Sequence, residues 1–363
     1  MKYGLIYDST YCHITCQYLR DCIPNGDCVR FDFGILKSNA EMKQLLETAA
    51  QQGDMPDVLL FEVCCPGLPR GLTNAPIPTA CLDVDTFGWT DFRLKWAMLF
   101  DCVFTWHPSC VPLFQDAGHP NVHALPHAVD ARFYSGADAQ AERPYEIGFV
   151  GNFGLPQYII RDRVNLVLVR RFRTNDFQKR YTKEETAKVY ERSKIVVNVS
   201  RSEFPSEANM RCYEAMAAGA LLMTEMPTEL TEWGFREGEH FVGWRSEEEI
   251  PRLVQEFLQN DGVRAKIAQA GQVRTLEGFT FQKCMETINR VMAGNHERLL
   301  APARHWSDEA IHLLYLNYYH RFQLSGAALA EFRLLRKAGT RAYWKGLPTA
   351  LKSLRHAMKS SLM

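Results

Sequence analysis

The chain has 363 residues, more than one hydrophobic core usually holds, and its 46% hydrophobic and 23% charged side chains are ordinary for a soluble globular protein. Its 42 basic and 42 acidic residues cancel, which excludes a global nucleic-acid footprint. The opening MKYGLIYDST is too short an apolar stretch for a signal peptide, and no run of about 18 apolar residues offers a membrane span. The 11 cysteines are odd in number, nine of them fall before residue 111, and none forms a C-x-x-C pair. Reduced core thiols in a cytoplasmic protein are therefore expected rather than a disulfide framework. Cys12, His13 and Cys16 lack a second Cys/His pair, so no metal is expected there.

In chain order, residues 3–7 (YGLIY) form a short apolar run ending at Asp8. Similar runs follow at 57–63, 78–84 and 102–106, separated by helix-length segments. This alternation predicts parallel βαβ units, with ligands at the carboxyl ends of the strands. Residues 135–144 (SGADAQAERP) are small, polar and end in proline, as in a linker. A second series begins with YEIGFVGN at 145–152. It continues with a helix over 182–193, whose Thr182 and Glu185 have capping-box spacing. Then come a strand at 195–200, a helix at 210–218 stopped by Gly219, a strand at 220–224, and helices at 246–259, 261–271 and 280–294. The expectation is α/β: a Rossmann-like, doubly wound domain over 1–140 and another over 145–295, facing across a cleft. A helical extension occupies 296–363, and its last stretch from Arg333 carries eight Lys or Arg and no acid.

The most informative stretch is 195–225, IVVNVSRSEFPSEANMRCYEAMAAGALLMTE. It reads as strand, polar loop, helix, glycine stop and strand. A loop that feeds a helix N-terminus suits an anion such as a diphosphate. Arg201 and Arg211 add forked positive donors. Glu214, one turn into the helix, can accept two hydrogen bonds from a ribose diol. The small residues Ala215, Ala217, Ala218 and Gly219 keep the helix slim.

This segment resembles the nucleotide-binding region of GT-B glycosyltransferases, with the closer likeness to the spore-maturation-protein type. That pattern, roughly N-x-R-x-x-E-A-x-A-x-G-x-L-L-x-T, is met by Asn209, Arg211, Glu214, Ala215, Ala217, Gly219, Leu221, Leu222 and Thr224. LPHAVDARFY at 125–134, IGFVGN at 147–152 with Arg161 and Arg163, and Tyr181 to Ser200 fall in the family's order. The likeness covers about 80–295 well and the first 80 residues weakly. It implies that Glu214 binds the ribose, that Asn209, Met210 and Arg211 meet the phosphates, and that Gly151 and Asn152 border the donor. Many retaining members place an acid eight positions before the ribose-binding glutamate; here that position is Ser206, followed by Glu207.

The resemblance implies a transferase that takes a nucleotide-diphosphate sugar as donor substrate, without a metal or cofactor. Arg211, Arg201 and Arg161 are expected to stabilise the departing diphosphate. A general base near the acceptor is sought in LDVDTFGWTDFR at 82–93. Alternation puts Asp83 and Asp85 on one side, and Asp85, further beyond the strand end, is preferred over Asp83 and Asp91. His13, after the first strand, and His127 are further candidates. Phe87, Trp89 and Phe92 are core aromatics or a stacking surface for a sugar or lipid. The acceptor is expected to be a glycan, a lipid-linked glycan or a protein. The basic segment 333–363 is expected either to touch an anionic membrane or to pack on the N-terminal domain. Two alternatives remain open: an enzyme like a nucleotide-sugar 2-epimerase, and a non-catalytic nucleotide-sugar-binding protein.

Overall fold

The computed structural model describes residues 1–10, 14–33, 40–62, 67–134, 142–294 and 300–360. They form two units, one of residues 1–125 with 288–363 and the other of residues 126–287.

The first unit is built on a six-stranded parallel sheet. Its strands are β1 (Tyr3–Tyr7), β2 (Cys28–Asp32), β3 (Val58–Glu62), β4 (Thr79–Asp83), β5 (Cys102–Thr105) and β6 (Val122–Ala124). Their order is β2-β1-β3-β4-β5-β6, the doubly wound arrangement that reverses direction between β1 and β3. β3 and β4 are buried at every residue, as expected of strands covered on both faces. The connecting helices are α1 (Ile14–Asp21), α2 (Met42–Gln51), α3 (Thr90–Ala97) and α4 (Val111–Asp116).

Three helices close the chain: α11 (Asp308–Arg321), α12 (Ser325–Ala338) and α13 (Thr340–Ser360). They belong to this unit rather than forming a separate extension. The aromatic face of α11 is the reason. Tyr315 and Tyr319 are buried and donate their hydroxyls to the carbonyls of Pro69 and Leu68, at 2.8 and 2.5 Å. Phe92 of α3 stacks on Tyr318 at 5.7 Å. Glu331 of α12 is fully buried and pairs with both Arg70 and His312.

The second unit has a four-stranded parallel sheet of β7 (Tyr145–Gly148), β8 (Ser193–Val197), β9 (Leu221–Glu225) and β10 (Val242–Trp244). The strands follow one another across the sheet. On the free edge of β7, Ile147 makes a single parallel bridge to Thr174, and the Arg173 carbonyl accepts from the Glu146 amide at 2.8 Å. With that bridge counted as a vestigial second strand, the order repeats the first five strands of the other unit. Side chains alternate across the sheet. Val196 and Leu222 join the core with α6 (Lys183–Glu191) and α7 (Met210–Ala217). Ile195, Val197, Leu221 and Met223 join the opposite core with α5 (Ile159–Arg171), α8 (Ile250–Gln259) and α9 (Asp261–Gly278). The remaining helix is α10 (Phe281–Gly294).

Two ends position the site. α6 starts at Thr182 with the complete capping box that the sequence predicts. α7 stops where Gly219 adopts φ 68°, and the Ala220 and Gly219 amides donate to the Ala215 and Met216 carbonyls at 3.1 and 2.8 Å. That paired closure turns the chain directly into β9.

Candidate functional site

The site grows from the chain between β8 and β9. Past β8, Asn198 is fully buried and links three segments. Its Oδ1 accepts from Arg211 Nη1 at 2.7 Å and from Asn209 Nδ2 at 3.1 Å, and its Nδ2 donates to Thr224 Oγ1 at 3.0 Å. Asn209 is the N-cap of α7, and its own Oδ1 accepts from the Arg211 amide at 3.1 Å. One buried amide therefore fixes the strand end, the helix start and a guanidinium.

Arg211 is held on its other side by β7 and the loop after it. Nε donates to the Val150 carbonyl at 3.1 Å, and the guanidinium lies 4.7 Å from the Phe149 ring centre. Glycine at 151 leaves room for this approach, since a Cβ there would stand 2.5 Å from Arg211 Nη2 and displace the guanidinium. Arg161, on α5, donates Nε to the Val199 carbonyl at 2.7 Å and lies over the Tyr158 ring at 3.9 Å. Burial, and then the like charge of Arg211, bring its pKa down to about 10. Two buried guanidiniums thus act on one another beside the positive end of the α7 dipole. A bound anion would relieve that repulsion.

Glu214 stands one turn into α7, half-buried. Burial pushes its carboxyl up to about 7 against the lowering pull of Arg211. Glu225, at the end of β9, is likewise pushed up to about 7 by burial, while the Ser200 amide donates to it at 2.6 Å. A cavity of about 620 Å³ opens at the carboxyl ends of β8, β9 and β10, lined by Ser200, Arg201, Ser206, Glu225 and Trp244 among others. Its lining includes Glu225 and Arg201 but not Arg161, Asn209, Arg211 or Glu214, so the cavity borders the arginine cluster rather than enclosing it.

Residues 141–290 match the family model described as glycosyl transferase-like. No curated protein matches the sequence. Among solved structures, the chain is similar to Anabaena HepE in complex with UDP, at 13% identity, covering 81% of this chain and 100% of that one with a TM-score of 0.60. The same protein in complex with UDP-glucose gives 12%, 81%, 100% and 0.57. Sucrose-phosphate synthase from Thermosynechococcus elongatus gives 11%, 70%, 77% and 0.51. At these identities the structural likeness is one of fold. The chain has the fold of GT-B glycosyltransferases, and its residues 141–290 are glycosyl transferase-like.

Close contacts join Arg211, Asn209 and Gly151, Arg161 acts on Arg211 through its charge, and Glu214 lies on the same helix as Arg211. Met210 opens α7, and Asn152 is exposed in the loop after β7. Arg201 carries less uncompensated charge than the sequence suggested, because it pairs with Glu207 at 3.5 Å. Ser206 lines the cavity, and its carbonyl accepts from the Glu229 amide at 2.9 Å.

The residues proposed for the acceptor side lie in the first unit. Asp85 follows β4 in the left-handed region, at φ 61°, and its carbonyl accepts from the Gly88 amide at 3.1 Å. Asp83 is buried and neutralised by Arg93 at 2.7 Å, and Asp91 is exposed. Phe92 and Trp89 are packed by α11, with Arg321 lying 3.9 Å over Trp89; Phe87 lies 5.7 Å from the His107 ring. His127 is buried. His13, and with it the Cys12–His13–Cys16 group, lies outside the described residues.

Sequence reasoning missed Asn198 and Glu225 as members of the site. Asn198 sits just past β8 at the end of the apolar run 195–197 and is fully buried. A lone amide amid Ile, Val and Val was the available signal, because buried polar groups demand partners.

Proposed function

We propose that the enzyme transfers a sugar from a nucleoside-diphosphate sugar to a glycan, lipid-linked glycan or protein acceptor. The observation that carries this reading is the pair of buried guanidiniums, Arg161 and Arg211, beside the N-terminus of α7 with Glu214 one turn on. In this reading the diphosphate sits against Arg211 and Arg161, Asn209 and Met210 present the start of α7, and Gly151 and Asn152 flank it. Arg201 adds charge at the edge once the ligand competes for it. Glu214 accepts from the ribose hydroxyls. The UDP and UDP-glucose bound by HepE support a uridine donor.

Glycosyl transfer breaks the bond between the anomeric carbon and the diphosphate oxygen and forms one to the acceptor hydroxyl. The arginines and the helix dipole stabilise the negative charge that grows on the departing diphosphate. They supply the electrophilic role that a metal otherwise fills, so the reaction is proposed to be metal-independent. Asp85 is the proposed base for the acceptor proton and His13 its alternative. The reaction is placed in the cytoplasm, where free thiols persist, and a lipid-linked acceptor is met at the inner face of the cytoplasmic membrane.

Calorimetric titration with UDP, GDP and ADP, followed by product analysis with the matching sugar nucleotides, tests this. One diphosphate should bind, and binding should fall at least tenfold in Arg211→Lys. Turnover should need an acceptor and survive a chelator. Isomerised or hydrolysed donor without acceptor would instead indicate epimerase-like chemistry. Tight binding of the sugar nucleotide with no turnover on any acceptor would indicate a binding protein.

A further inference from the structure

The last helix has three distinct sectors. With an advance of about 100° per residue, Gly346, Ala350 and Ser353 share one sector of about 60°. That sector is buried on the neighbouring helices. A Cβ on Gly346 would stand 2.9 Å from Leu335 of α12 and 3.0 Å from Leu316 of α11. Ser353 Oγ meets His320 Nδ1 at 2.8 Å, and Thr349 donates to Asn317 at 3.1 Å. These contacts fix the rotation of α13 about its axis.

That rotation turns an apolar sector outward. Trp344, Leu351, Leu354 and Met358 are 63, 49, 43 and 52% exposed, and on the same geometry they fall within an arc of about 80°. Arg341, Lys345, Lys352 and Arg355 are all exposed and fill the adjoining arc of about 80°. Lys345 approaches Glu309 at 3.8 Å; no acid occurs in the chain after Glu331. A globular surface rarely keeps an aromatic and aliphatic stripe in water without a use for it.

We propose that this outward face of α13 docks on an anionic lipid surface. The apolar stripe enters the acyl boundary, Trp344 sits at headgroup depth, and the adjoining basic stripe meets lipid phosphates. A nucleic acid would use the basic stripe and leave the apolar one in water; a second copy would set two basic stripes near each other. The bilayer is the one partner that satisfies both stripes together. The helix lies in the interface and does not cross it, in keeping with the finding that no described helix is long and apolar enough to span.

The test is co-sedimentation of the full chain with vesicles of phosphatidylglycerol and phosphatidylcholine, against vesicles of phosphatidylcholine alone. Binding is expected only to the mixed vesicles, falling at least tenfold as salt rises from about 0.1 to 0.5 M. Trp344→Ala with Leu351→Ala, and separately Lys352→Glu with Arg355→Glu, should each weaken it at least tenfold. Unchanged melting temperatures and nucleotide affinities show that the variants are folded and that the donor site is intact. Equal binding to both vesicle types, no binding to either, or binding indifferent to both double variants overturns the proposal. So does preferential capture of duplex DNA, or a concentration-dependent dimer that Trp344→Ala dissociates.

Discussion

Replacing Asn198 with leucine keeps the volume of the side chain and removes its polarity. Its three shorter hydrogen bonds go with it, at 2.7 Å from Arg211, 3.1 Å from Asn209 and 3.0 Å to Thr224. The bond from the guanidinium is worth roughly 1.5–3 kcal/mol and each neutral one about 0.5–1.5. Asn198 is fully buried, so water does not take its place, and leucine returns part of the loss through apolar contact. The expected net cost is about 3–4 kcal/mol, or on the order of 10 °C in the melting temperature of a unit this size. Arg211 also loses the acceptor that aims it, so nucleoside-diphosphate affinity should fall at least tenfold. Calorimetric melting and titration of the variant read both quantities. A loss under about 1 kcal/mol with unchanged affinity would refute the view that this amide organises the site.

The same site makes further predictions. In Gly151→Ala the new Cβ falls 2.5 Å from Arg211 Nη2 and 2.9 Å from Phe149, so the guanidinium must move; titration should show at least tenfold weaker nucleotide binding for a stability cost of about 1–3 kcal/mol. Burial raises Glu214 from its ordinary value to about 7. A carboxyl raised on folding adds stability below its unfolded pKa, and that contribution is lost as pH rises through about 7. Ribose hydroxyls, as donors, prefer the ionised form, so nucleotide affinity should increase from pH 6 to 8 and the increase should vanish in Glu214→Gln. Thr182→Ala breaks the capping box of α6. It should cost about 1 kcal/mol by thermal melting and leave nucleotide affinity unchanged, because the cap touches only its own helix.

Local physics made much of this fold legible. The apolar runs at β1, β3, β4 and β5 stood out because strands buried on both faces carry apolar side chains throughout. The capping box at Thr182 and the glycine after α7 marked helix ends to within a residue or two. β2 escaped because CVRFD buries only part of its length, and β6 and β10 because three residues show no period. The tail was legible as helical, while its place in the first unit depends on hydroxyl bonds from Tyr315 and Tyr319 to carbonyls some 250 residues away in sequence, which no local pattern encodes. Asn209, Arg211 and Glu214 could be picked out together because they share one helix start. Asn198 could not, since its partners lie 11, 13 and 26 positions further on. Arg201 read as free positive charge because the turn that brings Glu207, six positions on, back against it has no helical or strand period.

A thermal-shift screen of nucleoside diphosphates and sugar nucleotides, run on the native chain and on Glu214→Ala, tests the donor site most directly. A ligand that binds only the folded state at a hundred times its Kd stabilises it by about 2.7 kcal/mol. The account predicts a rise of several degrees with UDP or a UDP-sugar in the native chain and little or none in the variant. No shift with any nucleotide, or the same shift in both proteins, would contradict the placement of the donor on α7.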